Sequence, residues 1–270
     1  MVEPKAPPCP LARREEGSGP ALVLLHGLGG DRSVWDAQVP ELAKEFHVLV
    51  PDLRGHGESS APDGSTFSFA EFEGDLERML DESRAAAAHV VGLSAGGFLA
   101  LRLALDAPAR VRSLTLIGSS VHCDNHTKAV SQRWAETYRD EGFDAYLLRL
   151  VKDLYYPDFV EAHPEVADRL RAQQSKQNLA SALAWAKAVR SFDLRGRLMK
   201  VTQPTRILQG MDDAVVDGSH GRLLRVSIPG ADLKLFAQTG HLVPIERPAE
   251  TTEAIREFVR DVEHRPPPVR

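Results

Sequence analysis

The run Gly92-Leu93-Ser94-Ala95-Gly96-Gly97 follows the apolar residues His89-Val90-Val91 and opens a helical pattern. A serine at so sharp a strand-to-helix turn sits in strained backbone with its hydroxyl exposed, and that context gives G-x-S-x-G its chemical meaning. The chain can turn there only if the residues two positions away lack side chains, which Gly92 and Gly96 satisfy; Gly97 lets the helix lie close to the strands. A serine hydroxyl is a weak nucleophile and needs a base that is itself oriented by a third group. Both arrive late in the chain, each just past an apolar run. Thr205–Gln209 is followed by Gly210-Met211-Asp212-Asp213, and Ala231–Phe236 by Gln238-Thr239-Gly240-His241. Of ten histidines, only His26 and His241 lie just beyond such a run and beside a glycine. Serine, then acid, then histidine is one of the chain orders in which a triad is built. Residue types alone do not separate Asp212 from Asp213.

A second cluster competes for attention. His122-Cys123-Asp124-Asn125-His126 holds four metal-capable side chains in five residues. Zinc ligands are usually spaced by at least two residues on each arm, so the run reads as a polar hinge loop. No metal and no cofactor is expected, and Cys123 reads as a passive thiol.

The elements that must position these residues alternate. Ala21–His26, Phe46–Pro51, His89–Gly92, Val111–Gly118, Thr205–Gln209 and Ala231–Phe236 are short Val-, Leu- and Ile-rich runs bounded by Gly, Pro or Asp, and read as strands. Ser33–Lys44, Phe69–Asp81, Ala95–Asp106 and Ala249–Val262 carry apolar residues three and four apart, and read as helices. The fold class is therefore α/β, with a mostly parallel central sheet covered by helices on both faces. From 121 to 195 no strand is expected, and helical stretches follow one another. This segment holds nine of the chain's 17 aromatic residues. It reads as a helical cap inserted into a core of residues 11–120 and 196–263, with 1–10 and 264–270 as flexible tails. Trp134, Tyr138, Tyr146 and Trp185 are candidates to line an apolar pocket beneath it, with packing of a small helical layer as the alternative.

Taken together, LLHGLGG (24–30), PDLRGHGESS (51–60), GLSAGG (92–97), GMDD (210–213) and GHLVPIERP (240–248) resemble the α/β-hydrolase-fold family over roughly residues 11–263. The resemblance implies Asp213 as the triad acid, three residues after Gly210. It also implies an oxyanion hole made by the backbone N–H groups of Leu28 and Ala95. His26 then braces its loop, and Arg54 and His56 belong to turn structure. Asp217 stands where many relatives have proline. Ser94 excludes the dehalogenase and epoxide-hydrolase branches, which use aspartate there, and DRSVW after the first glycine turn lacks the asparagine-bearing loop of carbon–carbon hydrolases. The resemblance thus implies a carboxylic-ester hydrolase working through an acyl-enzyme on a small-molecule ester or lactone. The stretch 142–166 is similar to caps of enol-lactone hydrolases, so a lactonase is an alternative, as is a cofactor-free perhydrolase using the same triad. A reading of another class is a non-catalytic small-molecule receptor on a hydrolase scaffold.

Composition agrees with these limits. The chain has 270 residues with 43% hydrophobic content, enough for a core of normal size. Thirty-three Lys and Arg against 38 Asp and Glu give a net charge of −5 with no basic stripe, which argues against nucleic acid as a partner. No apolar stretch approaches a membrane span and no signal-type apolar region is visible in residues 1–20, so a soluble, cytoplasmic protein is expected. Two cysteines cannot form a disulfide framework.

Overall fold

The computed structural model describes residues 8–61, 65 and 67–264. Seven strands form one sheet: β1 (Arg13–Glu16), β2 (Ala21–Leu25), β3 (His47–Pro51), β4 (Ala88–Leu93), β5 (Val111–Ile117), β6 (Thr205–Gly210) and β7 (Asp232–Phe236). Their spatial order is β1-β3-β2-β4-β5-β6-β7, with only β1 antiparallel to its neighbour. The strand after β2 lies on one side of it and β4 lies on the other, so the direction of winding reverses between β2 and β4. Ligands bind at such a switch, beyond the carboxyl ends of the strands.

Period-two alternation sorts the strand residues onto two faces. Val23, Leu25 and Val90 join a core with α2 (Phe69–Glu82) and α3 (Ala95–Asp106). Leu22, Leu24, Val91 and Leu93 face the opposite side, against Trp35, α1 (Val39–Leu42) and Ile255 and Val259 of α11 (Pro248–His264). The start of α2 is fixed by a reciprocal cap. The Ser68 hydroxyl accepts from the Glu71 N–H, and the Glu71 carboxylate accepts from the Ser68 N–H. Five helices intervene between β5 and β6: α4 (Asn125–Glu141), α5 (Phe143–Leu154), α6 (Pro157–Ala162), α7 (Glu165–Gln174) and α8 (Leu179–Arg190). α4 to α7 share a small core of their own around Leu147, Leu150, Tyr155, Val166 and Leu170, which meets the main body at Leu242 and Ile245, while Trp185 and Val189 of α8 join the main core. The chain resumes with α9 (Gly218–Ser227) and α10 (Val243–Glu246).

Two expectations change. The helix read over Ser33–Lys44 is a 3₁₀ turn at Arg32–Trp35 followed by the four-residue α1. Pro40 has no N–H to give the carbonyl four residues back, so one helix cannot run through it unbroken. The packed chain also begins earlier than Leu11. Cys9 is buried, and its N–H donates to Asp75 Oδ1 at 2.6 Å. At the other end, His264 closes α11 instead of opening a tail. Residues 1–7 and 265–270, the rest of both expected tails, lie outside the described residues. Among the described residues, no helix is long and apolar enough to cross a membrane.

Candidate active site

Ser94 joins β4 to α3 with φ 53° and ψ −119°, a left-handed backbone that costs a non-glycine residue about 1–3 kcal/mol. Neighbours hold it there. The Ser94 N–H donates to the Ile117 carbonyl at 2.8 Å, and its own carbonyl accepts from the Gly97 N–H at 2.9 Å and Ser119 Oγ at 3.1 Å. A methyl group on Gly92 would stand 2.4 Å from the Gly96 carbonyl oxygen, and one on Gly96 would stand 2.6 Å from those of Leu25 and His26. The turn can therefore be made only with glycine at both positions. Ser94 itself is half-buried.

The acid and the histidine meet at the same edge of the sheet. His241 Nδ1 lies 2.8 Å from Asp213 Oδ2, with both side chains almost wholly buried. Asp213 Oδ1 accepts from the N–H groups of Val215 and Val216, each at 2.8 Å, and Gln209 Nε2 donates to Oδ2 at 3.2 Å. Four hydrogen-bonding groups thus converge on the carboxylate, and with Nδ1 turned to Oδ2 the ring leaves Nε2 on its other side. Asp212 is exposed, and it is Asp213 that the structure brings to the histidine. Asp217, in the place of proline, caps α9 by accepting from the Ser219 N–H at 2.8 Å and so still closes the acid loop. Gly118, one residue beyond the carbonyl that holds Ser94, touches the pair: a methyl group there would stand 3.2 Å from His241 Nδ1 and 3.3 Å from Asp213 Oδ2. No hydrogen bond joins Ser94 Oγ to His241 among the described residues, a contact that commonly tightens only when substrate is bound.

The loop after β2 lies against the serine, since a methyl group on Gly27 would stand 3.1 Å from Ser94 Cβ. Two neutral histidines brace it. His26 Nε2 accepts from the Leu53 N–H at 2.9 Å, and Nδ1 donates to the Gly27 carbonyl at 2.8 Å. Complete burial pushes its pKa down to about 4, so it carries no charge near neutral pH. His56 accepts from the Gly29 N–H at 3.4 Å, and burial together with His26 depresses it to about 3. Arg54 is wholly buried and bonds Asp75 through two nitrogens, at 2.7 and 2.8 Å, and Glu71 at 3.1 Å. Its role is structural. Among the described residues the Leu28 N–H has no acceptor. Ala95 is the first residue of α3, so its N–H has no intrahelical partner either. Leu28 lies in the loop after β2 and Ala95 directly follows Ser94, the two positions expected to supply the oxyanion donors.

The four aromatic candidates part company. Trp134 packs with Val215 and Val216 behind the acid loop and donates to Asp153 Oδ2 at 2.8 Å. Tyr146 donates to Gln174 Oε1 at 3.0 Å, and Gln174 Nε2 in turn donates to the Gly29 carbonyl at 2.8 Å. Burial pushes the Tyr146 phenol up to about 12, so it stays a donor. Tyr138 is 38% exposed and stands edge-on to Tyr146. Trp185 has no exposed surface at all; it packs into the main core 4.1 Å from the Phe72 ring. Its size serves to fasten α8 to the body, and the pocket expectation is corrected for it.

The His122–His126 run disperses. Asp124 accepts from the Thr127 N–H to cap α4 and pairs with His220 Nε2 at 3.2 Å, while His126 Nε2 donates to the Ala214 carbonyl at 2.9 Å. Among the described residues, no group of three His, Cys, Asp or Glu side chains could hold a metal ion. Residues that no motif marks include Gln209, which donates to Asp213, and Gln174 and Gln177, whose amides both donate to the Gly29 carbonyl from the helical insertion.

Residues 20–248 match the model of the alpha/beta hydrolase fold family. Over 255 residues the chain is 29% identical to the protein named "Putative carbamate hydrolase RutD" of Caulobacter vibrioides, covering 93% of this chain and 92% of that one. Among solved structures, a thermophilic esterase from Thermogutta terrifontis is similar at 30% identity and a TM-score of 0.84, covering 93% of each chain. The enol-lactonase from Burkholderia xenovorans LB400 is similar at 27% identity and a TM-score of 0.84, covering 93% of this chain and 96% of that one. With the family match running over residues 20–248, the chain belongs to the α/β-hydrolase-fold family.

Proposed function

We propose that the chain is a serine hydrolase that cleaves carboxylic esters of small molecules through an acyl-enzyme. The observation that carries this reading is the buried Asp213–His241 pair at the same sheet edge as a strained, half-buried Ser94. Ser94 Oγ attacks the ester carbonyl carbon as His241 Nε2 takes its proton. The carbonyl oxygen becomes an oxyanion between the Leu28 and Ala95 N–H groups, where each such donor is worth about 10²–10³ in rate. Collapse expels the alcohol, protonated by His241, and leaves the acyl group on Ser94. Water, deprotonated by His241, then releases the acid and restores the serine. Asp213 keeps the imidazole in the accepting tautomer and stabilises its cationic form throughout.

A second reading extends the same steps to a carbamate or a lactone. Similarity to the RutD protein supports the carbamate, and similarity to the enol-lactonase supports the lactone. With an aryl carbamate the phenol leaves, protonated by His241, and a carbamoyl group stays on Ser94 until water releases it; with an enol-lactone the enol oxygen leaves but remains tethered to the acyl group. A series of p-nitrophenyl esters from acetate to palmitate, run beside an aryl carbamate and an enol-lactone, tests the proposal. Ester turnover supports it, and the best acyl length measures the space beneath the insertion. Turnover of carbamate or lactone alone moves the assignment to that class. Tight binding without turnover of any of them favours the receptor reading.

A further inference from the structure

The loop that carries His241 is held by the helical insertion as well as by the sheet. Leu154, at the end of α5, accepts the N–H of His241 at 2.9 Å and that of Leu242 at 3.3 Å. Glu246, at the end of α10, is buried and turns back on the same loop. Its Oε2 accepts from the Gly240 N–H at 3.0 Å and from the Tyr156 N–H at 3.1 Å, and its Oε1 accepts from the Gly240 N–H at 3.1 Å. The two segments it joins are in main-chain contact. A methyl group on Gly240 would stand 2.8 Å from the Tyr155 carbonyl carbon and 2.9 Å from the Leu154 oxygen and the Tyr156 nitrogen. Burial raises the Glu246 carboxyl above its ordinary value while these N–H groups pull it back down. A buried carboxylate is tolerable only when hydrogen-bonded, and this one is bonded to the main chain of two segments separated by more than eighty residues.

We propose that Glu246 is a positioning residue for His241, fastening the residue before it to Tyr156 of the insertion so that the imidazole is held for proton transfer with Ser94. Asp213 grips the ring only at Nδ1, which leaves the ring free to tilt about that contact. The main chain on either side must supply the remaining constraint, and Glu246 and the Leu154 carbonyl are what hold it. The insertion is thereby tied to the catalytic loop at α5 and α6, and any movement of that end displaces the base.

The inference rests on the triad reading above, so its test is made to separate the two. A fluorophosphonate labels a serine only when a base takes its proton: the Ser94 Oγ–P bond forms, the P–F bond breaks, the proton passes to His241 and fluoride leaves. The second-order labelling rate is measured by mass spectrometry for the unaltered chain, Glu246→Gln and Glu246→Ala, well below the Tm of each. Glu246→Gln keeps the shape and one acceptor oxygen; Glu246→Ala removes both. Since a misplacement of about 1 Å can cost about a hundredfold, labelling is expected to slow about a hundredfold in the alanine variant and about tenfold in the glutamine variant. Ester kcat should fall in parallel, with KM held within about twofold. A lower Tm with an unchanged labelling rate in the folded alanine variant overturns the positioning role. Should that variant not fold, an unchanged rate in Glu246→Gln overturns it equally. Absence of label on Ser94 in the unaltered chain overturns the triad reading and this inference with it.

Discussion

Replacing Asp213 by asparagine should disable the base without disturbing the fold, and the hydrogen bonds around the carboxylate say why. Oδ1 receives two main-chain N–H groups, while Oδ2 receives His241 Nδ1 and the Gln209 amide. An asparagine must choose. If its oxygen turns to His241, its NH₂ group faces the Val215 and Val216 N–H groups, donor against two donors. If its oxygen stays with the main chain, both loop bonds survive and the NH₂ faces the histidine. The second arrangement is favoured, since it keeps the two shortest main-chain contacts. His241 then meets a donor at Nδ1 and must carry its own proton on Nε2, where it can no longer accept one from Ser94. Losing the correct tautomer in this way costs a serine hydrolase about 10⁴ in kcat. That corresponds to about 5 kcal/mol at roughly 1.36 kcal/mol per tenfold. The assay is kcat/KM on the best p-nitrophenyl ester for Asp213→Asn and, as control, Asp212→Asn, with circular dichroism and Tm to check folding. Asp212 is exposed, so its variant should stay within about twofold of the parent. Asp213→Asn within about tenfold of the parent, or a greater loss at Asp212, would refute the reasoning.

Other consequences are simpler to state. His26 and His56 are held neutral, with folded pKa values of about 4 and about 3 against an ordinary 6.5. The unfolded chain therefore binds protons first: stability is full above pH 6.5 and falls as pH drops toward 4, at about 1.4 kcal/mol per pH unit for each histidine. Urea denaturation at pH 7, 6, 5 and 4.5 should show that slope and His56→Gln should flatten it; a parent flat across the range contradicts the burial argument. Trp185→Ala should cost about 3–5 kcal/mol in the same denaturation, because its whole side chain is core. A loss under 1 kcal/mol, about the scale of surface changes, would return Trp185 to the pocket wall. Gly96→Ala should fail to accumulate as folded protein or lose at least about 2 kcal/mol, since its methyl group would meet two carbonyl oxygens at 2.6 Å. A variant as stable as the parent would mean the turn at Ser94 is looser than described.

The strands and the serine turn were legible because their signals are local. Val, Leu and Ile runs bounded by Gly and Pro mark strand ends, and two glycines flanking a serine mark a turn with no room for side chains. Choosing between Asp212 and Asp213 needed more than composition, because only the path of the loop decides which carboxylate faces His241. The aromatic residues of the insertion were harder still. Trp185 and Tyr138 differ in which helix face meets the body, and a helix that packs on two neighbours at once has no single apolar stripe to read. Gln174, Gln177, Gln209 and Glu246 act through contacts spanning from 4 to 148 residues of sequence, and nothing in an isolated Gln or Glu marks such a partner. The 3₁₀ break before α1 was signalled by Pro40, which the helical periodicity of Ser33–Lys44 masked.

In the proposed cycle Ser94 carries the acyl group. Quenching the enzyme in acid during turnover of p-nitrophenyl acetate, then mapping its peptides by mass spectrometry, tests this directly. One acetyl group is expected on the peptide containing Ser94, formed in step with a burst of p-nitrophenol and absent from Ser94→Ala. An acetyl group on another residue, or full turnover by Ser94→Ala, would contradict it.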